Sequence, residues 1–578
     1  STGFACDTPL WVGALVRQYG VQAVWQYWCP LIGVALAAAL FSRLVRRTGK
    51  VTENEILEMR YSGRSAGLLR GASAAIGALI LCPLIMGWVA KAMVTITEEV
   101  IGTGGGLISI FGVEMSAEKW ITIAVMGFAV ILCACSGLYG VVYTDLIQFC
   151  IATVGTFVLA WMAVREVGGM TVLLERLSTL EGWPGQSLSA VPEIAKQVHG
   201  GNRSSAMSVW NAIGFFGILW WGNALCGGYM GQRVLACKDT SHASRALTLH
   251  AVIYFGVICW PWILVALASL ILLPDLGGAG HDAAYPRMLM LVLPAGLRGL
   301  MISAMLAAFI STVSTLLNWG SSYIVNDMYR RFVRSQASDR HYVRVSRWVT
   351  VGVAIVSGFI SLRAHNIQEL LSVAYVASAG MMTMGVCRWC WWRTTAAGEL
   401  AALVVTWVGT AVMLFGHLLM GPNTVPLLDR PMGWVLGLDP SVSFTLDYAL
   451  LGARMFLAMS IAGATVVGVS LATRPSEHSH LQAFVRETRI FVPGWRAITQ
   501  TIPGYEPAQL IREAVLNWVL IAVTVASLIF ANGLFMQMQW WVGGGLFAVF
   551  TVLLWVVIAR TRTSSEETTT LQGKQGSG

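Results

Sequence analysis

Apolar segments close to 20 residues long recur along the chain, and short polar segments separate them. A helix needs about 20 apolar residues to cross the hydrocarbon core of a bilayer. The pattern therefore predicts a partial membrane span at residues 1–18 and a series of full spans after it. The predicted full spans lie at 24–44, 70–97, 120–142, 144–166, 208–227, 247–273, 292–326, 345–363, 367–387, 398–419, 446–472, 513–532 and 537–559.

The charges in the polar segments indicate how the chain is oriented in the membrane. Segments 43–70, 229–245 and 327–347 are basic, whereas 98–118 and 421–444 are acidic. An even number of predicted spans separates any two basic segments, so all three face the same side. Basic loops are enriched on the cytoplasmic side of membrane proteins. We therefore expect the basic segments in the cytoplasm and the acidic ones outside.

Composition supports the same class of protein. Hydrophobic residues make up 56% of the chain and charged residues only 12%, whereas a soluble protein carries about 25% charged residues. The 24 tryptophans fit aromatic belts at the two membrane interfaces. The sequence thus predicts an all-α polytopic protein of the plasma membrane, with the lipid bilayer as its surroundings.

Three further features of the sequence concern its partners and the two ends of the chain. The net charge of +9 lies in short loops between spans, which positive-inside orientation explains, so we expect no nucleic-acid partner. The polar segment 561–578 is predicted to be a disordered cytoplasmic tail. Residue 1 falls inside an apolar stretch, which suggests that sequence upstream of it belongs to the first helix.

The first candidate for function is the segment 3–13, where Asp7 lies in the apolar partial span and is followed by Thr8 and Pro9. Ionisable residues inside a membrane span are costly and are commonly functional. A proline removes one backbone donor and frees carbonyls of the preceding turn, and such carbonyls beside a carboxylate suit a Na⁺ or H⁺ site. An interfacial helix cap at Asp7 explains the same residues equally well.

The second candidate is the hydroxyl-rich stretch 303–318, in which Ser311, Thr312, Ser314 and Thr315 follow the small residue Ala308. Hydroxyl oxygens are hard ligands that suit a small cation. Serine and threonine also bond back to the preceding helical turn or join helices without any ion. Local sequence alone favours this second interpretation.

Two further polar positions lie near span ends. Asp145 and Gln148 enter a span from its cytoplasmic end, where an aspartate is often only a helix cap. Segment 223–238 is rich in glycine and continues into Gln232, Arg233 and Lys238. The glycines are consistent with a helix end or a hinge, and the cations are consistent with lipid headgroup binding.

Together these segments resemble the solute:sodium symporter family, of which the sodium/galactose and sodium/proline symporters are members. The resemblance rests on four motifs in the order and spacing of that family. They are Thr52, Glu55, Arg60 and Tyr61 after the second core helix; Tyr143, Asp145 and Gln148; Gln232, Arg233, Ala236 and Lys238; and residues 303–331 as the eighth core helix.

The resemblance implies a five-plus-five inverted-repeat core of the leucine-transporter type at 1–392. Within it, the partial first core helix occupies 1–18 and core helices two to ten occupy 24–392. Additional helices follow at 396–560. The resemblance also implies one Na⁺ where the first and eighth core helices cross. Its ligands would be backbone carbonyls at Ala5 and Thr8, the Ala308 carbonyl, and the Ser311 and Thr312 hydroxyls, with Asp7 beside them and Asp145 on the inner exit path of the ion.

This chain departs from the family pattern in two places. The leading helix and the first half of the broken first helix are absent from residues 1–578. The acidic residue that often precedes the Gln-Arg element is also missing, and Gly228, Tyr229 and Met230 stand there instead. For that reason we assign no gating role to this loop from the sequence.

The resemblance implies a secondary active transporter that carries a small polar organic solute into the cytoplasm with Na⁺ as coupling ion and without an organic cofactor. A proton-coupled symporter using Asp7, a transporter-like solute sensor and a non-transporting membrane subunit are the alternatives. We expect no enzyme, because the nine histidines lie mostly in loops. The residues expected to line the solute site are Trp25, Gln26, Trp28, Asn211, Trp220, Asn223 and Ser378.

Overall fold

The structure of the protein is a computed structural model. It describes residues 5–102, 106–110, 112–180, 188–192, 194, 208–276, 280–363, 367–419, 432, 435, 450–505 and 508–575. Within these residues the chain is almost entirely helical, and its one sheet is a short antiparallel hairpin of β1 (Leu107–Ile110) and β2 (Val113–Ser116), in which Leu107 pairs with Ser116. The helical fold thus agrees with the all-α protein that the sequence predicts.

The helices follow one another along the chain with short connections. In order they are α1 Asp7–Tyr19, α2 Val21–Arg47, α3 Glu55–Arg60, α4 Arg64–Ile101, α5 Ala117–Val167, α6 Met170–Thr179, α7 at 209–224, α8 Gly228–Leu235, α9 Thr240–Leu272, α10 Ala284–Val292, α11 Ala295–Val333, α12 Asp339–Arg363, α13 Ile367–Cys390, α14 Ala396–Leu419, α15 Leu451–Ala472, α16 His478–Thr488, α17 Ala508–Met536 and α18 Trp540–Gln575. Single helical turns also occur at His281–Ala283, Pro493–Trp495 and Arg496–Thr499.

Among the described residues, 11 helices are long and apolar enough to cross a membrane, and they coincide with predicted spans. The structure differs from the prediction at two places. The spans predicted at 120–142 and 144–166 form the single helix α5, because no proline interrupts the chain between them. The helix α18 continues to Gln575, through most of the segment predicted to be disordered.

Several of the long helices contain wide π-helical turns. These turns lie at Ala37–Phe41 in α2, Gly77–Leu81 in α4, Ile213–Leu219 in α7, Val252–Val257 in α9 and Tyr323–Val333 in α11. A π-turn inserts one residue into the helical repeat, so it redirects the side chains that follow it, and such turns are frequent at functional sites. Leu81, Leu219 and Tyr254, from three of these turns, line a large cavity between the helices.

Glycines bring some helices into backbone contact. Gly33 of α2 lies against the Trp220 carbonyl of α7, and a Cβ atom added there would be 1.8 Å from that oxygen. Gly452 of α15 lies equally close to the Trp210 carbonyl at the start of α7. Small residues at helix interfaces allow this close approach in membranes. The contacts therefore fix α7 between a core helix and one of the additional helices.

Arg60 joins the cytoplasmic end of the core to the segment between α16 and α17. Its guanidinium is fully buried, donates hydrogen bonds to the carbonyls of Trp391 and Trp392 at 3.3 and 2.8 Å, and lies 4.5 Å from the centre of the Trp495 ring. Burial lowers the pKa of Arg60. Arg60 belongs to the first of the four sequence motifs, and these contacts explain why an arginine suits that position.

Candidate solute and sodium site

The main cavity, of about 530 Å³, lies among α1, α2, α4, α7, α8, α9, α11 and α13. A volume of this size suits a small organic molecule. Aromatic rings form much of the wall, and a smaller set of polar side chains is interspersed. The polar lining residues include Asp7, Thr8, Gln26, Asn223, Arg233, His250, Thr312 and Ser378, and the aromatic ones include Trp11, Tyr27, Trp88, Tyr229, Tyr254, Phe255, Trp319 and Tyr375.

The start of α1 contributes the first predicted ion ligands. Ala5, Asp7 and Thr8 all line the cavity, and α1 begins at Asp7. Pro9 has no amide hydrogen, so the carbonyl of Ala5 cannot accept the usual helical hydrogen bond from the residue four positions later. This carbonyl is therefore suited to ligate a cation at the cavity wall.

The hydroxyl-rich stretch of α11 contributes the opposing side. Thr312 lines the same cavity, and its hydroxyl donates a 2.9 Å hydrogen bond to the Ala308 carbonyl. The oxygens of Thr312 and Ala308 thus form an adjacent pair on one face of α11. The structure therefore brings predicted ligands from both helices, Ala5 and Thr8 with Thr312, to one cavity.

Ser311 lies on a different face of α11 and contacts α5. Its hydroxyl donates a 2.5 Å hydrogen bond to Asp145 Oδ1, and the Asp145 side chain is buried. The sequence prediction placed Asp145 on the exit path of the ion, separate from the primary ligands. In the structure Asp145 touches one of those ligands directly.

Arg233 of α8 completes this polar group. Its guanidinium nitrogen lies 3.6 Å from Asp145 Oδ2 and donates a 3.1 Å hydrogen bond to the Thr315 hydroxyl. Arg233 also lines the main cavity. These contacts of Arg233 were not predicted from the sequence, because the Gln-Arg segment carried no assigned function. The arginine itself belonged to one of the four motifs.

Three of the residues expected to line the solute site lie at this cavity. Gln26 of α2, Asn223 of α7 and Ser378 of α13 all border the cavity. Gln26 is almost fully buried, with 1% of its surface exposed. These three side chains provide neutral hydrogen-bonding groups on three different helices.

The other four expected lining residues pack between helices instead. Trp25 donates a 2.6 Å hydrogen bond to the Ala190 carbonyl, and Trp28 packs on Trp260 with ring centres 5.6 Å apart. In α7, Asn211 accepts a hydrogen bond from the Gly452 amide, and the Trp220 ring stacks on the rings of Trp221 and Trp518. Their helix faces point toward neighbouring helices, which the apolar sequence around them does not reveal.

The structure adds lining residues that no feature of the sequence indicated. Trp11, Trp88 and Tyr229 line the cavity, as does His250, whose ring stacks on Tyr254 with centres 4.9 Å apart. Histidine and tryptophan also occur throughout the interfaces of this chain. Only the packing of the helices distinguishes these positions from the others.

Comparison with known proteins identifies the class of fold. The structure of the substrate-bound, outward-open state of a Na⁺-coupled sialic acid symporter superposes with a TM-score of 0.56, covering 82% of this chain and 91% of that one at 17% identity. At this identity the likeness concerns the fold alone. The protein is thus a multi-pass membrane protein with the fold of a Na⁺-coupled symporter.

The sequence comparisons identify the family. The profile of the sodium:solute symporter family matches residues 10–409, and the chain therefore belongs to that family, whose members are transporters. Its relatives include the sodium/glucose cotransporter of Vibrio parahaemolyticus, 22% identical over 72% of this chain and 75% of that protein. The sodium/myo-inositol cotransporter 2 of Rattus norvegicus is 27% identical over 51% of this chain and 47% of that protein. The chain thus spans about half the length of this second relative.

Proposed function

We propose that the protein is a sodium-coupled symporter that carries a small polar organic solute into the cytoplasm by alternating access. The observation that supports this proposal most strongly is the convergence of Ala5 and Thr8 from α1 with Thr312 from α11 on one cavity. Membership in the sodium:solute symporter family agrees with it. Sodium is the driving ion and the solute is the cargo.

The sodium ligands in this proposal are oxygens of α11 and of the chain at the start of α1, which line the same cavity. They are the carbonyls of Ala5, Thr8 and Ala308 and the hydroxyls of Thr312 and Ser311. All of these are neutral oxygen groups, which suit a hard monovalent cation. Asp7 lies beside the first two and supplies negative charge near the ion, which offsets part of the cost of removing Na⁺ from water.

Asp145 is the next stage of the ion path toward the cytoplasm. Because Ser311 already donates to Asp145, an ion that leaves the Ser311 oxygen is within reach of a carboxylate. Arg233, 3.6 Å from the other carboxylate oxygen, competes with sodium for this charge. The competition keeps the ion from being held at Asp145 and favours its release.

The cavity wall supports a polar solute with an apolar or ring-shaped face. Gln26, Asn223 and Ser378 offer hydrogen bonds, and the aromatic rings around them offer flat apolar surface. The relatives include proteins named as sodium/glucose and sodium/myo-inositol cotransporters. Sugars and polyols are therefore the first solutes to test.

The sodium gradient provides enough free energy for strong accumulation. One ion that crosses a potential of about 100 mV releases ~2.3 kcal/mol, and a tenfold concentration gradient adds ~1.4 kcal/mol. The sum supports roughly 500-fold accumulation of a neutral solute for each coupled ion. Coupling requires that sodium stabilise the outward-open state and that solute binding permit closure.

Solute uptake into proteoliposomes tests the proposed function. The full-length protein should accumulate at least one labelled sugar, polyol, amino acid or carboxylate when an inward Na⁺ gradient is imposed. The double variant Ser311→Ala/Thr312→Ala should abolish the stimulation by Na⁺, because it removes both hydroxyl ligands. Uptake that responds to a proton gradient and ignores Na⁺ would show proton coupling through Asp7 instead.

A binding measurement separates a transporter from a sensor. If no labelled solute accumulates, but a member of the same panel binds the purified protein in a Na⁺-dependent manner, the sensor function replaces transport. Sodium-stimulated uptake that is unchanged in the double variant would retain symport and reject the assigned sodium ligands.

A further inference from the structure

A second cavity, of about 270 Å³, lies next to the main one. Its wall includes Glu53 and Asn54 from the loop before α3, Tyr323 from α11 and Arg388 from α13. The two cavities share the wall residues Leu81, Gly222, Gly227, Gly228, Trp319, Ser378 and Met382. Because the loop at 48–54 belongs to a basic, cytoplasmic segment, the second cavity lies between the solute cavity and the cytoplasm.

The helix α8, which lines both cavities at Gly228, lacks a cap of its own. Its N-cap residue is Gly227, so no side chain at that position bonds to the first turn. The first amides of a helix have no partner within the helix, and a carboxylate is a favourable group near this end.

Glu53 supplies a carboxylate to this helix start from a distant part of the chain. The amide of Gly228 donates to both carboxylate oxygens of Glu53, at 2.8 and 2.9 Å. Gly231 makes this approach possible, because a Cβ atom there would lie 2.8 Å from Glu53 Oε2. Burial raises the pKa of the Glu53 carboxyl, whereas the hydrogen bonds it accepts lower it.

The same carboxylate also binds α11. The hydroxyl of Tyr323 donates a hydrogen bond to Glu53 Oε1. On either side of Glu53 in sequence, Thr52 and Asn54 donate to the buried Asp327 of α11 at 2.8 and 3.4 Å. The loop at 52–54 is therefore fixed to α11, and Glu53 extends that connection to α8.

We propose that Glu53 is the latch of the cytoplasmic gate, because its carboxylate joins the start of α8 to Tyr323 of α11 and so closes the second cavity. A cap within the α8 segment would stay bonded whenever α8 moved. A cap from the loop at 52–54 must break when α8 separates from that loop. Opening toward the cytoplasm therefore costs the hydrogen bonds of Glu53, and this inference rests on the proposed transport function.

Cys226 is a native reporter of this gate. It lines the second cavity and is 1% exposed in the closed arrangement. Tryptic cleavage after Arg203 and Arg233 gives a peptide in which Cys226 is the only cysteine. The rate at which a membrane-impermeant maleimide modifies Cys226 from the cytoplasmic face, followed by mass spectrometry, therefore measures gate opening in the full-length protein.

The test compares Glu53→Gln with wild type in inside-out vesicles, without solute, in Na⁺ buffer. We expect modification of Cys226 to become at least about 5-fold faster, since loss of the charge weakens both contacts. Glu55→Gln is the matched control, because Glu55 lies in the same segment and its ion pair with Arg70 is at 3.9 Å. An unchanged rate in Glu53→Gln would overturn the proposal.

Two further variants keep the proposal falsifiable. Tyr323→Phe leaves the α8 cap in place and removes the direct hydrogen bond between Glu53 and α11, so it should also expose Cys226. This variant decides the question if Glu53→Gln fails to fold. Adding Gly227→Asp to Glu53→Gln restores a local cap, and we expect Cys226 to remain accessible. A return to the wild-type rate would instead show that Glu53 is only a helix cap.

Labelling of Cys226 in two buffers distinguishes a failure of the transport proposal from a failure of the latch. Wild-type protein is labelled in Na⁺ buffer and in K⁺ buffer. If Na⁺ does not slow labelling of Cys226 while Glu53→Gln still accelerates it, the latch stands and sodium coupling fails. If Na⁺ slows labelling and neither Glu53→Gln nor Tyr323→Phe has an effect, sodium coupling stands and the latch is wrong.

Discussion

Two neighbouring hydroxyls of α11 have different surroundings, although the sequence presents them as a pair. Thr312 bonds to the Ala308 carbonyl and faces the cavity, whereas Ser311 bonds to Asp145 of α5. Successive residues of a helix point about 100° apart, so one of them faces the cavity and the other faces α5. A proposed sodium ligand at the cavity and one that also contacts the exit path can therefore be adjacent in sequence.

Asp145→Asn is expected to separate release of the ion from its binding. Asparagine can still accept the hydrogen bond from Ser311, but it lacks the charge that attracts Na⁺ from the primary site. We expect the Na⁺ concentration for half-maximal uptake to change less than about 3-fold while the maximal rate falls about 10-fold. The measurement is uptake as a function of Na⁺ concentration, with Thr312→Ala beside it. A loss of Na⁺ affinity as large as that of Thr312→Ala would make Asp145 a primary ligand.

The sequence anticipated which polar positions of α1 and α11 border the cavity better than which tryptophans do. Ala5, Thr8 and Thr312 were expected from the family resemblance, and all three line the cavity. Trp25, Trp28 and Trp220 were chosen from a chain that contains 24 tryptophans. The identity of a tryptophan does not indicate which helix its ring faces, and these three rings pack away from the cavity.

At the scale of the helix, the start of α1 depends on one missing amide. Pro9→Ala would supply a donor to the Ala5 carbonyl and convert a possible ion ligand into an ordinary helical acceptor. We expect Na⁺ affinity to fall about 10-fold with little change in helix content. Titration of the intrinsic fluorescence with Na⁺ measures this without any solute, because Trp11, Trp88 and Trp319 line the cavity.

Pro294→Ala serves as the control for this substitution. Pro294 is the exposed N-cap of α11 and lies away from the cavity. Its replacement should leave the Na⁺ titration unchanged. Equal affinities in Pro9→Ala and wild type would show that the Ala5 carbonyl does not ligate the ion.

Most helices were predicted within a few residues, and the exceptions have physical causes. Long apolar runs define α2, α9, α11 and α17 directly, because only a helix satisfies its own backbone in lipid. The π-turns inside α2, α9 and α11 leave no mark in the hydrophobic pattern. The single helix α5 was missed because its sequence contains enough apolar residues for two spans.

At the scale of the whole molecule, Arg60 connects the core to the chain that leads into α17. Arg60→Met would keep an apolar contact with Trp495 but leave the Trp392 carbonyl without its donor, whereas the Trp391 carbonyl would still accept from Thr394. A buried group left without a partner costs about 1–3 kcal/mol. We therefore expect a clear fall in the melting temperature of the purified protein in detergent.

Arg64→Met is the matched substitution for Arg60→Met. Arg64 lies four residues later at the exposed start of α4, so its replacement should leave the melting temperature within experimental error. Equal melting temperatures for all three proteins would contradict the structural role of Arg60.

The contact at Gly33 has a consequence for how the molecule moves. At Gly33 the backbones of α2 and α7 are in direct contact, since an added Cβ atom would lie 1.8 Å from the Trp220 carbonyl. We expect helices packed this closely to travel together, and with them the lining residues Gln26 and Asn223. Spin labels on α2 and α7 should keep a constant separation in Na⁺ and K⁺ buffers, and a separation that changes between them would refute this. Solute recognition by this pair of side chains would then survive the whole transport cycle, and only the groups opposite them would change.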